Sequence, residues 1–332
     1  MAIHVVRPPD LRIVGWVAYY LMSAIVLLGV GLRRPPDLIY FRETAYNLMP
    51  IPVARMLRCP LIIEINGFLL DEMRLVGAGV FERWLIRVTQ QITCDEADLV
   101  VAVSSRLRDL MIETFGLPRT RITIVPNGVD PERARPEETA TSRERLGLAP
   151  GPVIGFLGSC YPYHDIDTLI SAALSILAHR PDVRFVVGGD GPMRETWMRR
   201  VTQEGLEDRF LFTGRIPYAD VPTYISAFTI GIAVFTQEAK GLGMKLFDYM
   251  ACGRPMIATD LPGDVDIVRK WQVGILIAEG DAAALTCAAV RLLDDPVMCE
   301  TMGRNARHAV VEYFNWRRAA QDIVHVAHET IA

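Results

Sequence analysis

"KLFDYMACGRPMIAT", residues Lys245–Thr259, reads as a helix that stops abruptly and a strand that follows at once. Leu246, Phe247, Met250 and Ala251 recur at helical spacing on one face, and Pro255 forbids continuation beyond the Cys252-Gly253-Arg254 turn. The closing "PMIAT" is short and uncharged, as a strand buried on both faces requires. Lys245 and Asp248 stand one turn apart on the same helix. Two readings are open: a solvated ion pair along the helix, or two charges facing a cleft that binds something polar.

Outward from this stretch the same alternation recurs. Towards the carboxyl end, strand signals lie at 153–158, 183–189, 209–214, 230–235, 255–259 and 273–277. Helical stretches fall near 166–179, 192–204, 219–227, 243–252, 281–293 and 296–313. Towards the amino end, "DLIYF" (37–41), "PLIIEI" (60–65), "DLVVAVS" (98–104) and "RITIVP" (121–126) are β-branched runs, separated by helical stretches around 43–57, 78–93 and 105–116. Such alternation implies βαβ units on parallel sheets. Residues 130–151 interrupt it with charges, prolines and glycines, and read as a linker carrying a short helix. The expectation is α/β: two Rossmann-like, doubly wound domains, residues 1–129 and 152–313, joined by the linker. A carboxyl-terminal helix, 314–332, is expected to pack back on the first domain.

Composition narrows the partners. A hydrophobic share of 51% in 332 residues supports two sizeable cores, and a net charge of −4 argues against a nucleic-acid footprint. The six cysteines are scattered without a CxxC pair, which suggests neither a zinc site nor a disulfide framework and fits a cytoplasmic compartment. Ile13–Leu32 holds no charged residue and is flanked by arginines, long enough to span a bilayer but with three glycines and a serine. It is read as a buried or membrane-contacting helix, which allows peripheral contact with the inner face of a membrane.

In open α/β sheets ligands bind beyond the carboxyl ends of the strands, so three loops of the second half are candidates. In "GFLGSCYPYHDIDTLI" (155–170) a glycine turn leads to a helix that Asp165 or Asp167 caps. Its backbone N–H groups, with Ser159 and His164, could hold a phosphate, or the segment is an ordinary turn. In "VVGGDGPMRE" (186–195) Gly189 and Gly191 let another backbone or a ligand approach closely. In "FTQEAKGLGMKLFDYMACGRP" (235–255) a loop with Gly241 and Gly243 feeds a helix amino terminus beside Lys240 and Lys245, which suits a diphosphate. Asp248 further along suits the paired hydroxyls of a ribose. In the first half, Glu64, Asn66 and Gly67 end a strand; acceptor contact and a turn capped by Asn66 are both open.

Taken in order, the strand–Gly158–Ser159–His164–helix segment, "GDGP" (189–192), "FTGRIPYADVPTYISAF" (212–228) and "GLGMKLFDYMACGRPMIAT" (241–259) resemble the carboxyl-terminal domain of GT-B glycosyltransferases of the glycosyltransferase 4 type. "PDLIYFRE", "LVVAVSSRLRD" and "ITIVPNGVD" are similar to its amino-terminal domain. The resemblance implies two such domains facing a cleft, and retaining transfer from a nucleotide-sugar donor (UDP-, GDP- or similar) with no separate cofactor and no metal. The donor would lie on the second domain and a glycan, polysaccharide or lipid-linked acceptor on the first. It places Asp248 at the second glutamate of the family's E-x7-E motif, the ribose ligand. Lys240 falls at the first glutamate, a charge reversal that Glu238 stands two residues from replacing. Ser159 and His164 fall near the arginine and lysine that hold the diphosphate, leaving Lys245 and Arg215 to compensate. Donor contacts are thus expected from Gly158, Ser159, His164, Gly189, Gly191, Gly241, Gly243 and Asp248, and catalysis from Lys245, Arg215 and Glu238. The chain also departs from the family at its start, where the first one or two βα units and their glycine-rich loop are not recognised, so the first domain is expected to be shortened. Two rival functions stand beside transfer: a non-catalytic nucleotide-sugar-binding subunit, and a nucleotide-sugar epimerase of similar fold.

Overall fold

The computed structural model describes residues 12–71, 79–237 and 243–331. Contacts divide the chain into two compact units, residues 1–126 with 320–332, and residues 127–319.

The first unit is built on a parallel sheet of four strands in the order β1-β2-β3-β4: Ile39–Arg42, Leu61–Ile65, Leu99–Ala102 and Ile122–Ile124. Its helices are α1 (Arg12–Arg33), α2 (Pro50–Leu57), α3 (Val80–Glu96) and α4 (Ser105–Phe115). The strands form because apolar β-branched runs are covered on both faces; Ile62, Ile63, Ile65 and Val100 have no exposed surface. The helical stretch expected around 43–57 begins only at Pro50. Tyr46 occupies the left-handed region (φ 63°) and Asn47 Oδ1 accepts the Met49 N–H at 3.2 Å, so residues before the proline are a turn.

The second unit contains a six-stranded, all-parallel sheet in the order β10-β9-β8-β5-β6-β7. Its strands are β5 (Val153–Leu157), β6 (Arg184–Gly188), β7 (Phe210–Gly214), β8 (Ile230–Ala233), β9 (Met256–Thr259) and β10 (Gly274–Ile277). The helices are α5 (Thr139–Arg145), α6 (Ile166–His179), α7 (Arg194–Gln203), α8 (Val221–Ala227), α9 (Met244–Ala251), α10 (Asp264–Trp271), α11 (Ala282–Asp294), α12 (Pro296–Glu312) and α13 (Trp316–Ile331), the last extending past residue 319. One core packs Phe156, Leu169, Phe185, Trp197 and Leu285 on one face of the sheet. Another packs Phe228, Phe247, Tyr249 and Val310 on the opposite face. From β5 the chain winds outward through β6 and β7, and from β8 in the other direction through β9 and β10. The switch between β5 and β8 is where such a sheet leaves a crevice.

Among the described residues no helix is long and apolar enough to cross a membrane. Helix α1 packs on α2, where a Cβ at Gly31 would strike the Leu57 side chain at 2.3 Å, and Tyr20 donates to the Ala45 carbonyl at 2.9 Å. Leu21, Met22, Ile25 and Leu32 project from α1 at 48%, 50%, 70% and 68% exposure. Replacing Ile25 by Lys and Leu32 by Glu removes no buried contact and is expected to change stability by less than about 0.5 kcal/mol. The double variant should elute earlier from a hydrophobic-interaction column at an unchanged melting temperature. A drop of several degrees would show that these side chains are packed rather than exposed.

Candidate functional site

The crevice is shaped by loops that lock one another in place. Asp165 caps α6, accepting the Thr168 N–H at 3.2 Å and its hydroxyl at 2.6 Å. Asp167 instead accepts from Trp197 Nε1 at 3.2 Å and Arg200 at 2.5 Å. Ahead of that cap, His164 bridges Phe235 in a short antiparallel pairing, and the Thr236 N–H donates to the Tyr163 carbonyl at 2.9 Å. The loop after β5 is thereby joined to the loop after β8. It is joined equally to the loop after β6: Gly158 N–H donates to Gly188 O and Cys160 N–H to Asp190 O, both at 2.9 Å. A Cβ at Gly189 (φ 125°) would lie 1.8 Å from Gly158 O, and one at Gly191 (φ 150°) 2.6 Å from Cys160 O. The close approach at these two glycines is therefore of one loop's backbone to the other's. Gly189 N–H donates in turn to Gly214 O at 2.9 Å, which fixes the start of the loop carrying exposed Arg215.

Lys245, in the first turn of α9, is 8% exposed. Its Nζ lies 3.0 Å from His164 Nδ1 and 3.2 Å from Nε2, and over the rings of Phe156 and Phe235 at 4.3 and 4.6 Å. Burial, and secondarily the Lys245 charge, push the His164 imidazole down to about 2, so it is neutral at ordinary pH and accepts from the ammonium. His164 itself is buried, at 5% exposure. Ring faces and a neutral acceptor stabilise a cation that burial alone would penalise. Tyr249, fully buried, positions α9: its hydroxyl accepts the Leu157 N–H at 2.9 Å and donates to Ile232 O at 3.1 Å, joining the helix to both β5 and β8.

Asp248 is half-buried and makes neither a hydrogen bond nor an ion pair through its carboxylate among the described residues. The solvated ion pair with Lys245 is thus not formed. Burial raises the Asp248 carboxyl to about 6 against the opposing influence of Lys245. Tyr218, from the loop after β7, is close enough for that carboxylate to raise its phenol, alongside burial. Asp248 is a desolvated acceptor without donors among the described residues.

The structure therefore gathers Gly158, His164, Gly189, Gly191, Lys245 and Asp248 at the carboxyl edge of the second sheet, with Gly243 as the residue before α9. Ser159 is exposed beside Tyr163, 3.4 Å between hydroxyls. Glu238, Lys240 and Gly241 lie outside the described residues. Sequence reasoning missed Phe156, Phe235, Tyr249 and Thr236, whose buried hydroxyl has no partner among the described residues. The clue available for Tyr249 was its place beside Asp248; for the phenylalanines none distinguished them from core. In the first unit, Tyr40 donates to Glu64 Oε2 at 2.5 Å and Asn66 donates to Oε1, so Asn66 binds a carboxylate. Nearby, Gln90 donates to Glu43 at 2.9 Å, and the Glu43 N–H donates to Glu64 O.

The chain matches the family described as Glycosyl transferases group 1 over residues 151–295 and that described as Glycosyltransferase Family 4 over residues 2–133. It is 31% identical over 317 residues to the 2-deoxystreptamine glucosyltransferase of Streptomyces kanamyceticus, covering 90% of this chain and 79% of that protein. It is also 31% identical over 230 residues to the GDP-mannose-dependent alpha-(1-6)-phosphatidylinositol monomannoside mannosyltransferase of Mycolicibacterium smegmatis, 67% of this chain and 60% of that one. The fold is similar to that of HepE from Anabaena in complex with UDP, with a TM-score of 0.79 at 21% identity over 95% of this chain and 84% of that one. The chain belongs to the group 1, family 4 glycosyltransferases and has their GT-B fold, two parallel-sheet α/β domains.

Two substitutions test the site's physics. A Cβ at Gly158 would lie 3.0 Å from Lys245 Cε and 3.1 Å from Nζ, tight contacts with the far end of a flexible side chain. Gly158→Ala should leave folding nearly intact while displacing the ammonium, weakening nucleotide binding about tenfold; calorimetric titration reads it, and unchanged affinity would sink the account. For Asp248 the folded carboxyl titrates above its unfolded value of 3.8. The fold therefore favours the protonated form: its contribution is complete below the unfolded value and is lost as pH rises through about 6. Asp248→Asn should accordingly stabilise the ligand-free protein at pH 8, by about 1–3 kcal/mol, with the gain vanishing near pH 4. A pH-independent difference in melting temperature would contradict the assignment.

Proposed function

We propose that the protein transfers a glycosyl group, with retention of configuration, from a nucleotide-sugar held by the second unit to a hydroxyl of an acceptor held by the first. The observation that carries this reading is the pairing of a buried ammonium, Lys245, with a carboxylate lacking donors, Asp248, one turn along the same helix at the sheet's switch point. Lys245 supplies charge to the departing diphosphate, and His164 acts through Lys245 by fixing its ammonium. Asp248 accepts from the ribose hydroxyls. As the bond from the anomeric carbon to the diphosphate oxygen breaks, negative charge grows on that oxygen, and a preorganised cation there lowers the barrier. Arg215, exposed at the mouth of the β7 loop, closes on the phosphates.

UDP is supported as the nucleotide by the UDP complex of the structurally similar HepE, and GDP by the mannosyltransferase named above. The first unit's Glu64, held by Tyr40 and Asn66, is the acceptor-side anion. Relatives named for 2-deoxystreptamine and for a phosphatidylinositol monomannoside favour a polyhydroxylated acceptor, a glycan or a lipid-linked precursor.

Purified protein incubated with UDP- and GDP-sugars should release nucleoside diphosphate, and an acceptor product should keep the donor's anomeric configuration by NMR. Binding without turnover under any donor would instead favour the non-catalytic subunit. Lys245→Met should lower kcat by about 10²-fold or more with a smaller change in KM, because the charge acts on the leaving group. A rise in KM alone would assign Lys245 to ground-state binding.

A further inference from the structure

At the opposite edge of the second sheet, where β8 and β9 begin, lies an open groove of about 540 Å³. Arg143, Arg254, Arg304 and Arg307 line it, with Glu300 and Cys299. Three of these guanidiniums are anchored by main-chain oxygens. Arg143 donates to Ala227 O at 2.9 Å, Arg254 to Ser226 O at 2.6 Å, and Arg307 to Ala251 O at 2.8 Å and Ala134 O at 3.0 Å. Side-chain hydroxyls complete the cradle: Arg143 donates to Thr229 at 2.9 Å and Arg254 to Thr139 at 2.7 Å. None of the three forms an ion pair with a carboxylate among the described residues. Among the described residues the one carboxylate lining the groove is Glu300, 3.9 Å from Arg304, with both side chains at least 70% exposed.

The anchoring explains why each arginine is held, but not why four positive charges converge with so little to neutralise them on a chain of net charge −4. Burial depresses the Arg254 guanidinium and the adjacent Arg143 charge adds to the effect; its Nε is buried without a partner among the described residues. Like charges brought together in a partly desolvated groove are costly unless an anion joins them. The groove is closely built: Gly303 meets the Gly253 carbonyl so tightly that a Cβ would lie 2.3 Å from it. Guanidinium forks match the oxygens of a phosphate group, which bidentate pairing favours.

We propose that this groove is a second anion site of the glycosyltransferase, one that binds a phosphate group, either free phosphate or a small phosphomonoester. It lies at the strands' amino-terminal edge and shares no residue with the donor site. Occupancy neutralises the arginines that tie α5, α8, α9 and α12 together, and so stabilises this unit whatever the donor site holds.

The test uses the full chain with inorganic phosphate and glycerol 3-phosphate as probes, sodium chloride of equal ionic strength as control, and Cys299 as the reporter. Cys299 Sγ lies 3.6 Å from Thr229 O, and exposed Cys287 lies outside the groove. Alkylation of Cys299 should slow about threefold or more on addition of phosphate at millimolar concentration while Cys287 is unaffected. Arg304→Glu, a change at an exposed side chain, should weaken the phosphate titration about tenfold without loss of folding. Arg307→Gln, which also removes main-chain anchors, should do the same if it folds, and the first variant suffices if it does not. A stronger response to glycerol 3-phosphate assigns the site to a phosphomonoester; an equal one assigns it to phosphate itself. No protection of Cys299 at about 20 mM phosphate, or an unchanged titration in Arg304→Glu, overturns the proposal.

Discussion

Placing an ammonium group beneath the end of β5 constrains the whole carboxyl edge of the second sheet. A buried cation loses hydration worth several kcal/mol unless its surroundings replace it. Here the replacements include a neutral imidazole and two phenylalanine faces, drawn from three separate segments around residues 156, 164 and 235. Each must be in position before the lysine can be. His164 is held because its loop pairs with the loop after β8, and Phe156 because β5 is central to the sheet. Gly158 leaves the ammonium undisturbed, since a Cβ there would press on the end of the Lys245 side chain at 3.0 to 3.1 Å. The glycines after β6 then follow, since the loop bearing Gly158 and Cys160 presses its carbonyls into the space their side chains would occupy.

Much of this architecture was readable because buried parallel strands leave continuous apolar runs in the sequence. The run at 153–158 became β5 (Val153–Leu157), and the stretch at 166–179 became α6 with its expected Asp165 cap. The helix expected from 43 began at Pro50 because a left-handed Tyr46 and an Asn47 turn intervene, features that apolar periodicity does not report. At the site, spacing put Lys245 and Asp248 on one helix turn but left open which way each faced. That choice depends on His164, 81 residues earlier in the chain. Gly189 and Gly191 read as admitting another backbone or a ligand; the choice between the two was out of reach, because what approaches them is the backbone of residues 158 and 160, distant in sequence.

The first unit treats its carboxylate differently. Glu64 sits at the end of β2 with both oxygens already accepting, one from Tyr40 and one from Asn66, and burial with that acceptor raises the Tyr40 phenol. A carboxylate with its oxygens so engaged is a fixed anion of set orientation, whereas Asp248 has no such donors among the described residues and is driven by burial towards protonation. The two groups suit different tasks. A fixed anion orients a ligand that brings its own donors to the remaining lone pairs. A desolvated carboxyl is ready to gain from any hydroxyl that reaches it.

Helix direction unites the two charged regions of the second unit. In a parallel α/β sheet the helices run back against the strands, so their amino ends meet the carboxyl edge and their carboxyl ends the opposite edge. Helices α6, α7 and α9 start at Ile166, Arg194 and Met244, each shortly after a loop of the carboxyl edge. Their ends contribute partial positive charge of about half an elementary unit each. An edge supplied in this way needs few cationic side chains to attract an anion, and Lys245 is the buried one there. The reverse holds at the other edge. There the carboxyl ends of α8 and α9 present Ser226, Ala227 and Ala251 carbonyls, and Arg254, Arg143 and Arg307 gather on them. Partial charges of that size balance part of a guanidinium but not four of them, and the surplus is what distinguishes the groove from ordinary helix capping.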